Sequence, residues 1–128
     1  MGDRANVKIV YGESTVYLYT HNDGTELPVI LQDALRRGID RLDDGPYLAR
    51  IIFSEMIKDD ISGLTGFGIS SVIGDGEDRV ITINLDDQTA QVQNDRPFPL
   101  KGYINWRNPR WTGKPVYKCF CPHCKRAL

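Results

Sequence analysis

Three features are scarce in this chain of 128 residues: long apolar runs, cysteines outside the C-terminal end, and acidic residues after position 95. No run approaches the roughly 18 to 20 apolar residues that span a bilayer, which argues against a membrane-spanning helix. The opening stretch MGDRANV is polar where a secretory signal would be apolar. We therefore expect a cytoplasmic protein with no membrane partner.

The three cysteines lie within six positions near the C-terminus, and an odd, closely spaced set does not link distant parts of a chain by disulfides. The pair in CPHC has the spacing of half a zinc knuckle. Thiol oxidoreductases share this spacing, but their cysteine pair stands at the N-terminus of a helix. Only four residues follow Cys124, which are too few for such a helix. The fourth zinc ligand would be His21, water or a group from another chain. The sequence leaves two alternatives, free thiols or a zinc site whose ligands come from Cys119, Cys121, His123 and Cys124.

The absence of acids after Asp95 divides the charge unevenly. Residues 1–95 hold 17 acidic and 8 basic residues, a net charge of −9, and residues 96–128 hold the other 8 basic residues. Six aromatic residues are interleaved with those charges, a mixture that suits single-stranded nucleic acid. Alternatively, the basic segment covers its own acidic body or that of a neighbouring subunit. We predict a core domain over residues 1–95 and a basic aromatic arm over residues 96–128.

The pattern of residues 1–95 predicts an α+β fold in the order ββααββ. NVKIVY and TVYLYTH alternate with period two around a glycine turn, which predicts a hairpin. Two amphipathic helices follow, the first capped by Thr25 and ended by Gly38, the second capped by Asp43 or Asp44. FGISSVI and RVITINL predict two further strands separated by the turn sequence GDGED. We expect a four-stranded, mainly antiparallel sheet with both helices on one face and the arm over the other.

The second predicted strand suggests a binding site. If Val16 and Leu18 point towards the helices, the residues between them face the opposite side of the sheet. Tyrosines offer flat surfaces for a base, and arginine and helix N-termini favour anions. The candidate ligand residues are Tyr17, Tyr19, His21, Asp23 and Arg50.

Two of these residues also have ordinary structural interpretations. His21 can hold its loop by hydrogen bonding. Arg50 can form an ion pair with Asp43, Asp44 or Glu55. Lone titratable residues serve such structural roles more often than they catalyse.

Four segments, MGDRANV, VYLYTHNDGTELP, DDGPYLARIIF and GFGISSVIGDGED, resemble a family of small, mostly uncharacterised proteins of bacteriophages and actinobacteria. The resemblance covers residues 1–92, in order and with matching spacing. It implies a phage-type accessory protein acting in the host cytoplasm. It implies no particular reaction, because the family as a whole has no established activity.

Three functions fit these observations. We favour a non-enzymatic binding module that captures a small anionic or nucleotide-like ligand, or a host protein, and that can be a homo-oligomer. The second is a nucleic-acid-binding adaptor that uses residues 96–128 and a zinc knuckle. The third is a small hydrolase or nuclease centred on His21 with Asp23 or Asp75, although the chain lacks a nucleophile elbow, a paired His-Glu helix motif and a catalytic triad.

Overall fold

A computed structural model describes residues 2–111 and shows an α+β protein built on one six-stranded sheet. The strands are β1 (Ala5–Tyr11), β2 (Ser14–Thr20), β3 (Phe67–Ser70), β4 (Val80–Asn84), β5 (Thr89–Val92) and β6 (Phe98–Pro99). They lie in the order β3-β2-β1-β4-β5-β6 across the sheet. The predicted α+β class is confirmed, and the sheet has two strands more than expected.

Three α-helices accompany the sheet: α1 (Leu27–Arg37), α2 (Gly45–Ile57) and α3 (Leu100–Ile104). Asp44 caps α2 as predicted, since its carboxylate accepts a hydrogen bond from the backbone N–H of Tyr47 at 3.2 Å. The predicted Thr25 cap of α1 is wrong, because Glu26 occupies the N-cap position and makes no side-chain bond there. The Thr25 hydroxyl instead accepts a hydrogen bond from Arg79 at 3.1 Å. None of the helices within residues 2–111 is long and apolar enough to cross a membrane.

The sheet is mixed rather than wholly antiparallel. β1 and β4 are parallel neighbours at its centre, and the other neighbouring pairs are antiparallel. β3 and β4 therefore lie on opposite sides of the β1–β2 hairpin, and residues 71–79 cross over that hairpin instead of forming a tight turn. The Asn6 side chain donates a hydrogen bond to the Asp75 carbonyl in this crossover at 2.8 Å. At Gly76, where φ is +79°, an added Cβ would lie 3.0 Å from the backbone nitrogen of Ala5, so the position favours glycine.

The hydrophobic core lies between one face of the sheet and the helices. Val7, Ile9, Ile81 and Ile83 on the two central strands are fully buried, and they pair across the parallel ladder as Val7 with Ile81 and Ile9 with Ile83. Burial of such a side chain stabilises the fold by about 1.5–3 kcal/mol. The facing helical residues, also fully buried, are Leu27, Leu31, Leu35, Leu48 and Ile52.

The first part of the predicted basic arm belongs to this core. The fully buried Tyr103 donates its hydroxyl to the Pro28 carbonyl at 2.6 Å. The Gln32 amide donates to the carbonyls of Tyr103 and Trp106 at 3.1 and 2.6 Å. Residues 98–106 thus pack beside α1, on the helix side of the sheet, and the expectation that they cover the opposite face is wrong. The body continues to Trp111, which is 8% exposed, past the boundary predicted at residue 95.

Aromatic packing explains why this segment joins the body. The Tyr103 and Trp106 rings meet edge to face with centroids 5.6 Å apart, and Phe98 meets Trp106 at 6.0 Å. Such pairs add about 0.5–1.5 kcal/mol beyond their buried area. Rings that suggest stacking on nucleic acid are therefore used inside the fold. Tyr117 and Phe120 lie outside the described residues.

Candidate functional site

One face of the sheet carries no helix within residues 2–111, and we call it the open face. Strand alternation and register place Tyr17 and Tyr19 on it, opposite Lys8 and Asn6 of β1, in agreement with the predicted orientation. None of its strand residues is acidic, although residues 1–95 carry a net charge of −9. The open face comprises Lys8, Val10, Thr15, Tyr17, Tyr19, Gly68, Ser70, Val80, Thr82, Asn84, Thr89 and Gln91, together with Asn6, which is 1% exposed and bonded to the crossover.

A cation and an aromatic ring lie together at the middle of the open face. The Lys8 ammonium is 5.9 Å from the centroid of the Tyr17 ring. Both side chains are half-buried, and both remain accessible from the solvent side. Their neighbours Thr82 and Gln91 present a hydroxyl and an amide on the adjoining strands. The arrangement offers a flat surface, one positive charge and neutral hydrogen-bonding groups.

His21 lies where β2 ends, at the edge of the open face. Its Nδ1 is 2.9 Å from the Tyr19 hydroxyl and 3.4 Å from Nε of Arg4. Its backbone is fixed on both sides, because its N–H donates to the Gly66 carbonyl at 2.8 Å and its carbonyl accepts from Asp3 at 2.7 Å. The predicted loop-holding role of His21 is consistent with these bonds.

The structure does not bring the other two predicted ligand residues to this face. Arg50 is exposed on α2, two residues beyond the buried Leu48, and α2 packs against the opposite side of the sheet. Asp23 follows β2 but lines a cavity beside the helices. The predicted pocket of Tyr17, Tyr19, His21, Asp23 and Arg50 is therefore not a single pocket.

Two of the three acidic partners predicted for Arg50 form ion pairs with other residues. Asp44 is 3.9 Å from Arg41. Glu55 contacts Lys58 at 2.9 Å and Arg37 at 3.5 Å. Asp44 and Glu55, two of the three acidic partners expected for Arg50, are therefore engaged with other cations.

The hydrolase hypothesis needs a carboxylate beside His21. Within residues 2–111, neither the Asp23 nor the Asp75 carboxylate hydrogen-bonds to the His21 ring. Asp75 contributes its backbone carbonyl to Asn6. A general base is normally oriented by such a neighbour, so the geometry gives this hypothesis no support.

A second concave feature is a cavity of about 560 Å³ between the N-terminal end of α1 and the C-terminal end of α2, which we call the acidic cavity. Ile30, Met56 and Phe67 supply its apolar lining. Five carboxylates and one lysine surround it, a net charge of −4. These charged residues are Asp23, Glu26, Glu55, Lys58, Asp59 and Asp60.

A cluster around Asp3 fixes the loop between the open face and the acidic cavity. Asp3 pairs with Arg79 and accepts a hydrogen bond from the backbone N–H of Thr25 at 2.8 Å. Arg79, followed by Thr25, lowers the pKa of Asp3 from 3.8 to about 2. An added Cβ at Gly24 would lie 2.5 Å from the Asp3 carbonyl oxygen, so only glycine fits this approach. The Arg79 guanidinium also lies 5.5 Å from the centroid of the Trp111 ring.

The predicted metal ligands Cys119, Cys121, His123 and Cys124 lie outside the described residues, so the zinc site stays a prediction. Within residues 2–111, no group of three or more His, Cys, Asp or Glu side chains is placed to hold a metal ion. In that part of the chain, His21, suggested as a fourth ligand, has its Nδ1 beside Tyr19 and Arg4. An added Cβ on Gly2 would lie 2.6 Å from its Nε2.

Comparison with known proteins finds no match for this chain among family models, curated proteins or solved structures. The resemblance of residues 1–92 to small bacteriophage and actinobacterial proteins therefore stays a prediction. We therefore infer function from the open face and the acidic cavity.

Proposed function

We propose that this protein is a non-enzymatic binding module whose open face holds a small anionic, nucleotide-like ligand. The observation that carries the proposal is the Lys8 ammonium beside the Tyr17 ring on a sheet face without acidic strand residues. The ring is a stacking surface for a base, and the ammonium is a partner for a phosphate. Binding on this face requires no catalytic group.

The crossover sets a limit on the charge of the ligand. It contributes Asp75, Glu77 and Asp78 at the Asn6 end of the open face. The negative charges of these carboxylates offset the positive charges of Arg4 and Lys8, and they repel a highly charged anion. The face therefore suits a ligand with an aromatic ring and a single phosphate better than a polyphosphate.

The helix side of the protein offers a matched control for this site. Arg41, in the short segment before α2, lies 5.1 Å from the ring centroid of Tyr47 in the first turn of α2, a cation and ring pair like that of Lys8 and Tyr17. Tyr47 is 56% exposed, so changes there are tolerated by the core. A single substitution in either pair removes one cation or one ring. Only substitutions in the Lys8 and Tyr17 pair change the open face, so those in the Arg41 and Tyr47 pair serve as controls.

Thermal unfolding with AMP, adenosine and inorganic pyrophosphate as probes tests the proposal. AMP should raise the Tm, adenosine should raise it less, and pyrophosphate alone should have little effect, because a ligand that binds only the folded state stabilises it. Lys8→Gln and Tyr17→Leu should reduce the AMP shift, whereas Arg41→Gln and Tyr47→Leu should leave it intact.

Three results would overturn the proposal. The first is the absence of any AMP shift in the unmodified protein. The second is an equal loss of the shift in the Tyr47 control. The third is consumption of AMP during incubation, which would favour the hydrolase hypothesis instead.

A further inference from the structure

The acidic cavity has features of a surface that another segment covers. Two large apolar residues, Ile61 and Leu64, lie 75% and 99% exposed in the loop whose end forms one wall. Ile30 and Phe67 inside the cavity are only partly buried. Apolar exposure of this kind beside a concave site is typical of a docking surface. An occupant must also carry positive charge to complement the charge of −4 around the cavity.

The described chain ends beside this cavity. The Trp111 indole nitrogen donates to the Gly24 carbonyl at 2.7 Å. Gly24 lies between Asp23 and Glu26, which line the cavity. Trp111, the last described residue, is therefore hydrogen-bonded to the loop that borders the acidic cavity.

The residues after Trp111 have the complementary composition. Residues 112–128 contain four basic residues and no acidic residue, a charge of +4. Their first part, KPVYK, places Val116 and Tyr117 between Lys114 and Lys118. At about 3.3 Å per extended residue, Lys114 lies within ~10 Å of Trp111 along the chain and Tyr117 within ~20 Å. Pro115 favours an extended backbone, which reduces the entropy lost on docking.

We propose that residues Lys114–Lys118 of the same chain dock in the acidic cavity. The lysine ammonium groups pair with carboxylates of the α1 start and of the loop after α2, among them Glu26, Asp59 and Asp60. Val116 and Tyr117 cover the apolar lining. Lys58 is held by Glu55 at 2.9 Å and is also attracted by Asp59, so Glu26 and Asp60 are the carboxylates with which it competes least.

Trypsin cleavage after Lys118 in the full chain tests this docking. The Lys114–Pro115 bond resists trypsin, so the first product of interest begins at Cys119 and is identified by its mass. Removal of charge by the double substitution Asp59→Asn and Asp60→Asn should speed this cleavage roughly threefold to tenfold, the effect of one or a few exposed ion pairs. Added salt should speed cleavage of the unmodified protein in the same direction.

A double substitution at the far end of the body, Glu13→Gln with Asp43→Asn, removes the same number of charges and should leave the rate unchanged. Lys114→Gln should not increase the cleavage rate further when it is combined with the Asp59 and Asp60 substitutions, because the lysine and the two carboxylates belong to the same contact. Equal rates in the cavity variant and the control would overturn the proposal. A cleavage rate of the unmodified protein that falls as the protein concentration rises would also overturn the proposal, because the segment would then dock on a second copy of the chain. The AMP site on the open face does not enter this test.

Discussion

The indole nitrogen of Trp111 donates a hydrogen bond to the carbonyl oxygen of Gly24 at 2.7 Å, across 87 positions of the sequence. The same ring lies against the Arg79 guanidinium, which in turn pairs with Asp3. Four separate segments therefore meet at one point: the N-terminal residues, the loop before α1, the start of β4 and the end of the described chain. This junction fixes the loop that borders the acidic cavity.

Trp111→Ala should destabilise the fold by about 3–5 kcal/mol, the usual cost of removing a buried tryptophan. Trp111→Phe keeps most of the packing and should cost about 1 kcal/mol for the lost hydrogen bond. Denaturant unfolding measures both changes. Tyr47→Ala, at an exposed position, is the control and should have little effect. A Trp111→Ala protein as stable as this control would show that residues 107–111 do not belong to the body.

Gln32→Leu tests how α3 is held against α1. Gln32 is 5% exposed and satisfies two carbonyls of the α3 segment. Its loss leaves the Trp106 carbonyl without this donor, and we expect a loss of about 1–2 kcal/mol of unfolding free energy. Asp33→Leu, on the exposed side of the same helix, is the control for helix propensity. An equal effect of the two substitutions would contradict the proposed role of the Gln32 amide.

Local signals were sufficient to predict part of this fold. The alternation of NVKIVY and TVYLYTH predicts the β1–β2 hairpin, and Asp44 followed by Pro46 predicts the start of α2. β5, β6 and α3 escape prediction because they are short, with four, two and five residues. Elements of that length depend on tertiary contacts rather than on their own propensity. The parallel pairing of β1 with β4 is likewise a long-range feature.

The candidate sites, like the fold, can be predicted from the sequence only where local patterns determine them. Period-two alternation places Tyr17 and Tyr19 on the open face, and the same alternation in β1 could have identified Lys8 opposite Tyr17. Residue type alone suggests Arg50 as an anion ligand, but α2 buries Leu48 and Ile52 and leaves Arg50 exposed, away from the open face. The acidic cavity draws residues from positions 22–30, 55–60 and 65–67. No sequence pattern brings those segments together.

Zinc binding by the C-terminal cysteines stays a prediction with a direct measurement. Native mass spectrometry of protein purified without added metal or chelator should show one zinc ion per chain. Cys121→Ser and Cys124→Ser should lose it, whereas His21→Ala should retain it, because the His21 Nδ1 contacts Tyr19 and Arg4 and its Nε2 lies close to Gly2. A metal-free mass for the unmodified protein would favour free thiols. The same spectrum reports the number of subunits.

The ion pair of Asp3 with Arg79 should make stability depend on pH in the acidic range. The folded-state pKa of Asp3 is about 2, below its ordinary value of 3.8. Because the pKa of Asp3 is depressed in the folded state, its ionised carboxylate stabilises that state at pH values above 3.8. This contribution is lost as the pH falls from about 4 to 2. The Asp3 side chain is 35% exposed, so solvent screening reduces the effect to about 1 kcal/mol.

Asp3→Asn should therefore lower the unfolding free energy by about 1 kcal/mol near pH 7, and the difference from the unmodified protein should disappear near pH 2. Denaturant unfolding at several pH values measures this difference directly. Glu13→Gln, in the β1–β2 turn, controls for the loss of one negative charge from an acidic body. A difference between Asp3→Asn and the unmodified protein that persists unchanged to pH 2 would mean that the Asn side chain disturbs the Thr25 contact. The ionised carboxylate would then not be what ties the N-terminal residues to β4.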